Sequence, residues 1–430
     1  MIRRLVAGLL PAIGALLALS PLAASAADKG FYLKPGDRVV FYGDSITDQR
    51  LYTTYIESYC VSRFPGAHFT FVHSGWGGDR VTGGGGGNIT TRINRDILAY
   101  KPTVVTICLG MNDGSYRSFD QGIFNTYVTG FRHIIERLKK ELPGVRITLL
   151  TAPAYDDVTR TANFPGGYNA TLVAYGEAVR GLAKEYGLTV ADTNAPLVAA
   201  LARAHTEDAP ASAKIIGDRV HPGPGGHVVM AAAVLKAWNA PAEVASINVD
   251  AAARRISGSK TTLSNFSVKD GVISFTEKDA ALPWPLDRDP DRNPDTTLVL
   301  HSTDIEQVLN RYTLKASGLS AERYSVKIDG MDCGVFGKQE LAAGIDLAAL
   351  PASPVSGAAN KVLALTRKHN DLHFRRWRQV QITRTSDGLN PSADVKAQMD
   401  SLDAEDAAAV VEQTAATVVA AHRVVIAPAP

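Results

Sequence analysis

The chain has 430 residues, of which 45% are hydrophobic and 20% charged, a composition typical of a folded globular protein. Its 45 basic residues nearly balance 43 acidic ones, and a formal net charge of +2 creates no global field that would attract nucleic acid or an anionic membrane surface. We therefore expect no nucleic-acid partner. The three cysteines, Cys60, Cys108 and Cys333, permit at most one disulfide, which excludes a disulfide-stabilised scaffold.

The first residues have the pattern of a secretory signal peptide. Arg3 and Arg4 precede an apolar run over residues 5–22, and Ala24-Ser25-Ala26 then forms a small-x-small cleavage site. The alternative is a retained membrane anchor, but Pro11 interrupts the run and no basic stop signal follows. We predict that residues 1–26 are removed and that the mature protein is secreted or periplasmic, without a membrane span.

From residue 27 to about residue 245, short apolar runs alternate with longer amphipathic ones. This alternation is typical of βα units that build a parallel sheet covered by helices on both faces. We predict strands at residues 38–42, 68–73, 103–109, 146–152 and 188–192, and helices at residues 51–64, 91–99, 124–142, 168–186, 195–205 and 225–238. Residues 83–87 are all glycine, so we expect a mobile loop without regular structure there.

In the second half of the chain, short apolar runs no longer alternate with longer amphipathic ones. Residues 246–350 have short alternating runs, including one at residues 297–301, and predict a β-rich accessory domain. Residues 351–430 predict a linker and a C-terminal helical segment with a frayed tail from Ala427. Alternate acidic positions at residues 287–295 suit calcium, but prolines and arginines lie between them, which favours a solvated loop.

Chemistry-bearing residues follow several of the predicted strands. Gly43 ends the first strand, and Ser45 lies at the strand-to-helix corner, where helix N–H groups can stabilise a developing oxyanion. The same residues also suit simple helix capping. After later strands, Gly78 and Asn112 are placed to offer N–H donors, although a turn explains each equally well.

A second group of candidate catalytic residues precedes the helix predicted to begin at residue 225. Asp218 and His221 are three residues apart on a turn, where a carboxylate can hold the tautomer of an imidazole that transfers protons near neutral pH. An isolated DxxH is also compatible with a surface turn. Because ligands bind beyond the carboxyl ends of parallel strands, we expect all these residues at one edge.

Four short blocks together resemble the SGNH, or GDSL, hydrolase family. They are GDSIT at residues 43–47, the glycine block that ends in Gly78-Asp79, GMND at residues 110–113 and DRVH at residues 218–221. The resemblance implies a three-layer α/β/α flavodoxin-like fold over about half of the chain. It implies Ser45 as nucleophile and oxyanion donor, Gly78 and Asn112 as further oxyanion donors, and His221 with Asp218 as the proton-transfer pair.

The sequence departs from the family pattern at one position of the second block. Many family members have asparagine at the head of the second block, where this chain has His73.

The implied chemistry is two-step acyl transfer without a metal or organic cofactor. We predict that Asp44 and Trp76 contact the substrate. We expect a serine esterase that deacetylates a carbohydrate, with a lipase or aryl esterase, or a non-catalytic glycan-binding cell-surface protein, as alternatives.

Overall fold

The computed structural model describes residues 30–289, 291–382 and 388–430, and residues 31–430 form a compact unit. The predicted signal peptide lies outside the described residues and stays a prediction. Within the described ranges, no helix is both long and apolar enough to cross a membrane.

The first half contains the predicted alternation of strands and helices, with bounds shifted by a few residues. A 3₁₀ turn at Leu98–Tyr100 follows the third helix. In chain order the labelled elements are β1 (Arg38–Gly43), α1 (Ser45–Asp48), α2 (Leu51–Arg63), β2 (Thr70–Gly75), β3 (Gly83–Gly84), β4 (Gly87–Asn88), α3 (Ile89–Asp96), β5 (Val104–Cys108), α4 (Gln121–Glu141), β6 (Arg146–Leu150), α5 (Gly167–Tyr186), β7 (Thr189–Ala191), α6 (Ala195–Glu207), α7 (Ala209–Ser212) and α8 (Pro224–Ala237).

Five of these strands form one parallel sheet in the order β2-β1-β5-β6-β7. Successive β1 residues face opposite sides: Phe41 packs in a core with α2 and α8, and Tyr42 in a core with α3 and α4. The sheet therefore lies between two helical layers, which confirms the predicted α/β fold. Gly43 pairs with Gly75 and Cys108, so these three strands end at the same edge.

The second half forms two further sheets. Their orders are β10-β11-β16-β13-β14 and β15-β12-β8-β9. The labelled elements are β8 (Glu243–Asp250), β9 (Arg255–Ser259), β10 (Thr261–Lys269), β11 (Val272–Asp279), α9 (Pro294–His301), α10 (Ile305–Leu309), β12 (Arg311–Ser317), β13 (Arg323–Ile328), β14 (Met331–Gly337), α11 (Lys338–Ala343), β15 (Ile345–Asp346), α12 (Pro354–Phe374), α13 (Ala393–Ala416) and β16 (His422–Pro428). A 3₁₀ turn spans Leu347–Ala349, and a π-helix spans Arg375–Ile382.

Two predictions about the second half are wrong. Residues 297–301 belong to helix α9 and not to a strand, because Pro294 begins a helix and a short apolar run fits either structure. The tail is not frayed: β16 is the middle strand of its sheet, and its alternate residues Val424 and Ile426 are fully buried. The C-terminal segment therefore ends in a strand in addition to its helices.

Buried polar side chains join the C-terminal helices to the first half of the chain. Glu57 on α2 accepts hydrogen bonds from Gln413 on α13 at 3.0 Å, and one of its oxygens lies 3.1 Å from His73 Nε2. His369 on α12 lies 3.6 Å from Glu57 and hydrogen-bonds Asp406. Burial alone would lower the pKa of His369, but the two carboxylates raise it to about 9.

This network predicts a stability change at alkaline pH. Because the pKa of His369 is raised on folding, its contribution to stability is fully present below about pH 6.5 and is lost as the pH rises through about 9. We expect His369→Gln to be less stable than wild type at pH 6, with a difference that shrinks toward pH 9 in urea unfolding. His133→Gln, which removes an exposed imidazole, is the control. A His369→Gln difference that stays constant with pH would contradict this assignment.

Candidate active site

Ser45 is the first residue of α1, directly beyond the strand β1. The side chain of Asp44 caps this helix, and its Oδ1 accepts a hydrogen bond from the Ile46 N–H at 3.0 Å. Gly43 permits the sharp corner, because a Cβ there would lie 2.2 Å from Thr47 Oγ1 and 2.6 Å from the Cys108 carbonyl oxygen. The structure thus places the Ser45 side chain at the carboxyl edge of the sheet, as predicted.

His221 and Asp218 lie at the same place, 176 residues along the chain from Ser45. His221 Nε2 is 2.8 Å from Ser45 Oγ, and His221 Nδ1 is 2.7 Å from Asp218 Oδ2. The other Asp218 oxygen accepts from the backbone N–H groups of Val220 and His221 at 2.9 and 2.7 Å. Both distances are those of hydrogen bonds, and the contact between His221 Nε2 and Ser45 Oγ is within reach for proton transfer.

The turn that carries this pair is held in a restricted conformation. Arg219 has a φ of 75°, a left-handed conformation that non-glycine residues rarely adopt, and its guanidinium donates to the Thr161 carbonyl at 2.9 Å. Partial burial raises the pKa of Asp218, but the hydrogen bonds from His221 outweigh it and hold that pKa below its usual value. Asp218 is therefore a carboxylate at neutral pH.

The two remaining blocks also reach this edge. The Trp76 N–H donates to the Gly43 carbonyl at 3.0 Å and the Gly77 N–H to Asp48 at 3.3 Å, which ties the glycine block to α1. Gly78 follows with a φ of 76°, and no acceptor among the described residues contacts its N–H. Asn112 Nδ2 donates to the Asp79 carbonyl at 3.0 Å and lies 3.4 Å from Asp44 Oδ2.

Comparisons with known proteins agree with this geometry. A model of the GDSL-like Lipase/Acylhydrolase family matches residues 41–229, which contain all four blocks. These residues therefore form a domain of the SGNH/GDSL hydrolase family. It is 26% identical over 220 residues to an acetylxylan esterase from Geobacillus stearothermophilus, covering 47% of this chain and 93% of that relative.

Solved structures extend the comparison. A gut microbial diltiazem-metabolizing enzyme superposes with a TM-score of 0.78 at 25% identity and covers 93% of this chain and 100% of its own. That likeness in fold therefore includes the β-rich and C-terminal parts. A crystal structure of an acetylxylan esterase from Geobacillus stearothermophilus covers 48% of this chain and 96% of its own, at 25% identity and a TM-score of 0.40.

Within this domain, Asp44 is enclosed by protein. Only 2% of the residue is exposed, and burial raises the pKa of its carboxyl to about 8, with Asp113 and Asp79 acting in the same direction. Asp44 is therefore largely protonated at neutral pH. Its predicted contact with substrate remains a prediction, and its nearest partners are Ile46 and Asn112.

Trp76 is covered by a part of the chain that sequence reasoning did not connect with the site. The Arg378 guanidinium, on the π-helix, lies 3.2 Å from the Trp76 ring centroid and 3.4 Å from Asp48 Oδ2. The ring edge of Trp377 packs against Trp76 at 5.8 Å. A role for Trp76 in substrate contact also remains a prediction. Local patterns gave no signal for the contact with Arg378, which spans 302 positions of the sequence.

Three of the five glycines beside Trp76, Gly83, Gly84 and Gly87, lie in strands, and Gly85 and Gly86 form the turn between them. Strands β3 and β4 pair as a short antiparallel hairpin, so the expectation of a loop without regular structure is wrong. The hairpin lies against Trp76 so closely that a Cβ at Gly86 would be 2.6 Å from the indole ring and 2.8 Å from Arg92 Cδ. Close packing thus requires glycine at this position.

Arg92 is fully buried beneath the site and hydrogen-bonds two strand ends. Its guanidinium donates to the Ser74 carbonyl at 2.8 Å and to the Gly43 carbonyl at 3.5 Å. It also forms ion pairs with Asp79, at 2.5 Å, and with Asp96. The ends of β1 and β2 are therefore held to one planar cation.

Loss of this cation has a predictable cost. Arg92→Ala removes the buried ion-pair partner of Asp79 and one of the partners of Asp96, and we expect it to lower the free energy of unfolding by about 3 to 5 kcal/mol, measured with urea. Arg255→Ala, which breaks a solvent-exposed pair with Asp250, should have a much smaller effect. Equal costs for the two variants would contradict a structural role for Arg92.

Proposed function

We propose that the chain is a serine esterase that works through an acyl-enzyme and removes a small acyl group, with acetylated carbohydrate as the favoured substrate class. One observation carries the proposal: Asp218, His221 and Ser45 form a continuous chain of hydrogen bonds, at 2.7 and 2.8 Å. Gly78 and Asn112, which follow β2 and β5, offer further N–H donors at the carboxyl edge of the same sheet.

In the first step, Ser45 Oγ attacks the ester carbonyl carbon. His221 Nε2 takes the hydroxyl proton, and Asp218 stabilises the imidazolium through Nδ1. The carbonyl oxygen becomes an oxyanion, for which the backbone N–H groups of Ser45 and Gly78 and the amide of Asn112 are the donors. His221 then returns the proton to the leaving alcohol, and the acyl group stays on Ser45.

In the second step, water releases the acyl group. His221 Nε2 takes a proton from water as the water oxygen attacks the acyl carbon, and the same donors hold the second oxyanion. Collapse of this intermediate breaks the bond to Ser45 Oγ, which regains the proton from His221. The products are a carboxylic acid and regenerated enzyme, and protein groups supply every proton transfer.

The preference for a carbohydrate rests on comparison and on the N-terminal pattern. The curated relative is an acetylxylan esterase, and a secreted or periplasmic protein, as residues 1–26 predict, would meet polysaccharide fragments. A specific observation favours a second candidate, a small-molecule or aryl ester: the structural neighbour that covers 93% of this chain is named for a small molecule. The complete hydrogen-bonded triad supports an enzyme over a non-catalytic binder.

The enzyme proposal predicts covalent labelling. Wild type should react with a fluorophosphonate probe at one residue, and Ser45→Ala should abolish labelling and reduce ester hydrolysis by at least about a thousandfold. Gel fluorescence and peptide mass spectrometry measure the label. An unlabelled folded wild type, or equal labelling of Ser45→Ala, would rule out the proposal.

Substrate class is tested separately. We expect acetate release from acetylated xylooligosaccharides with a higher kcat/KM than from simple aryl acetates, measured by an acetate assay with Ser45→Ala as the blank. Turnover of aryl acetates without any release from acetylated saccharides would instead establish the small-molecule candidate.

The raised pKa of Asp44 predicts that the activity falls at alkaline pH. Above about pH 8 its carboxyl ionises 3.4 Å from Asn112 Nδ2, and a negative charge there opposes an oxyanion. We expect the kcat of wild type to fall by about tenfold as the pH rises from 7 to 9.5, since about 1.4 kcal/mol corresponds to that factor. Asp44→Asn keeps the cap on Ile46 without a charge and should not show this fall. Parallel pH profiles for the two proteins would be the contrary result.

A further inference from the structure

The side-chain amide of Asn112 has a hydrogen-bond partner on each side. Its Oδ1 accepts from the Tyr116 hydroxyl at 2.8 Å, and its Nδ2 donates to the Asp79 carbonyl at 3.0 Å. An amide rotated by 180° would place Oδ1 against the Asp79 carbonyl oxygen, and two acceptors do not form a hydrogen bond. The Tyr116 hydroxyl and the Asp79 carbonyl thus select one orientation of the amide.

The backbone that presents Tyr116 is strained. Ser115 and Tyr116 both have left-handed backbone conformations, with φ values of 56° and 55°, although neither is glycine. Each such residue costs on the order of 1 kcal/mol or more, and strain of this kind persists only where the surroundings enforce it. The Ser115 N–H donates to the Asn112 carbonyl at 3.1 Å, so the strained turn begins at the very residue whose side chain Tyr116 contacts.

Aromatic packing holds the ring of Tyr116 in place. Its centroid lies 5.1 Å from that of Tyr168 and 6.3 Å from that of Tyr155. Tyr168 in turn donates to the Met111 carbonyl at 2.6 Å, directly before Asn112. Yet 42% of Tyr116 is exposed, so its burial alone does not explain why the chain adopts the strained turn.

The Tyr116 hydroxyl is suited to act as a donor. Burial, with the nearby carboxyl groups of Asp44 and Asp218, raises the pKa of this phenol to about 12, so it keeps its proton at every pH used for an esterase assay. Its hydrogen bond to Oδ1 also polarises the amide, which strengthens Nδ2–H as a donor on the opposite side.

We propose that Tyr116 is a positioning residue for the oxyanion donor Asn112, acting through the hydrogen bond from its hydroxyl to Asn112 Oδ1. This inference rests on the proposed esterase function. Without the hydroxyl, Oδ1 has no fixed partner, and the amide samples orientations in which Nδ2–H does not point at the oxyanion. Tyr116 itself touches neither the scissile bond nor the proton that His221 carries.

Tyr116→Phe tests the hydroxyl while it keeps the ring. We expect kcat for p-nitrophenyl acetate to fall by about tenfold with KM changed by less than about twofold, because an oxyanion donor acts in the transition state and not on bound substrate. The melting temperature should stay close to that of wild type. The matched control is Tyr155→Phe, which removes a hydroxyl that contacts Asn163 in the same aromatic cluster and should leave kcat unchanged.

A double-mutant cycle separates positioning from a general structural effect. Asn112→Ala should reduce kcat by about 10² to 10³, the usual loss for one oxyanion donor. In that background, Tyr116→Phe should have no further effect, because the group it positions is gone. If hydrolysis by Asn112→Ala is too slow to follow, the rate at which a fluorophosphonate labels Ser45 gives the same comparison.

The outcomes distinguish this inference from the proposed function. A wild-type kcat in Tyr116→Phe, or an equal loss in the presence and absence of Asn112, would overturn the positioning role while the esterase stands. A folded wild type that neither hydrolyses esters nor reacts with the probe would overturn the esterase, and the positioning role with it.

Discussion

The geometry of the site depends on one buried cation. Arg92 has no exposed surface, yet its guanidinium reaches carbonyls at the ends of β1 and β2 and two carboxylates. A planar group with five donors can join such separate acceptors at fixed angles, which a lysine cannot do. Because β1 leads to Ser45 and β2 leads to Gly78, this cation fixes the spacing between the Ser45 corner and the glycine block.

The C-terminal segment participates in the same arrangement. Trp377 Nε1 donates to Asp96 at 2.7 Å, and Asp96 is an ion-pair partner of Arg92. Arg378 bridges Trp76 and Asp48, and Arg50 donates to the Asn370 carbonyl at 3.1 Å. Helices α12 and α13 and the π-helix therefore support the parallel sheet that carries Ser45, and they are not an independent appendage. The similarity in fold to one enzyme over 93% of the chain fits this interpretation.

Sequence reasoning succeeded where local pattern and sheet geometry coincide. Parallel strands share a carboxyl edge, so Ser45, Asn112 and Gly78 could be placed together before any coordinates were known. It failed where distant segments decide the local structure. The glycine run pairs as a hairpin that packs against Trp76, and α9 is a helix although its apolar run also suits a strand. The contact of Arg378 with Trp76 follows from tertiary packing that no spacing in the sequence encodes.

The central claim is that four loops, distant in sequence, converge on one oxyanion position beside Ser45. A crystal structure of the protein after reaction with a fluorophosphonate tests this claim most directly. The account predicts a phosphonyl group on Ser45 Oγ, with its oxygen about 2.7 to 3.1 Å from the backbone nitrogens of Ser45 and Gly78 and from Asn112 Nδ2. An adduct on another residue, or a phosphonyl oxygen that points away from Gly78 and Asn112 into solvent, would contradict it.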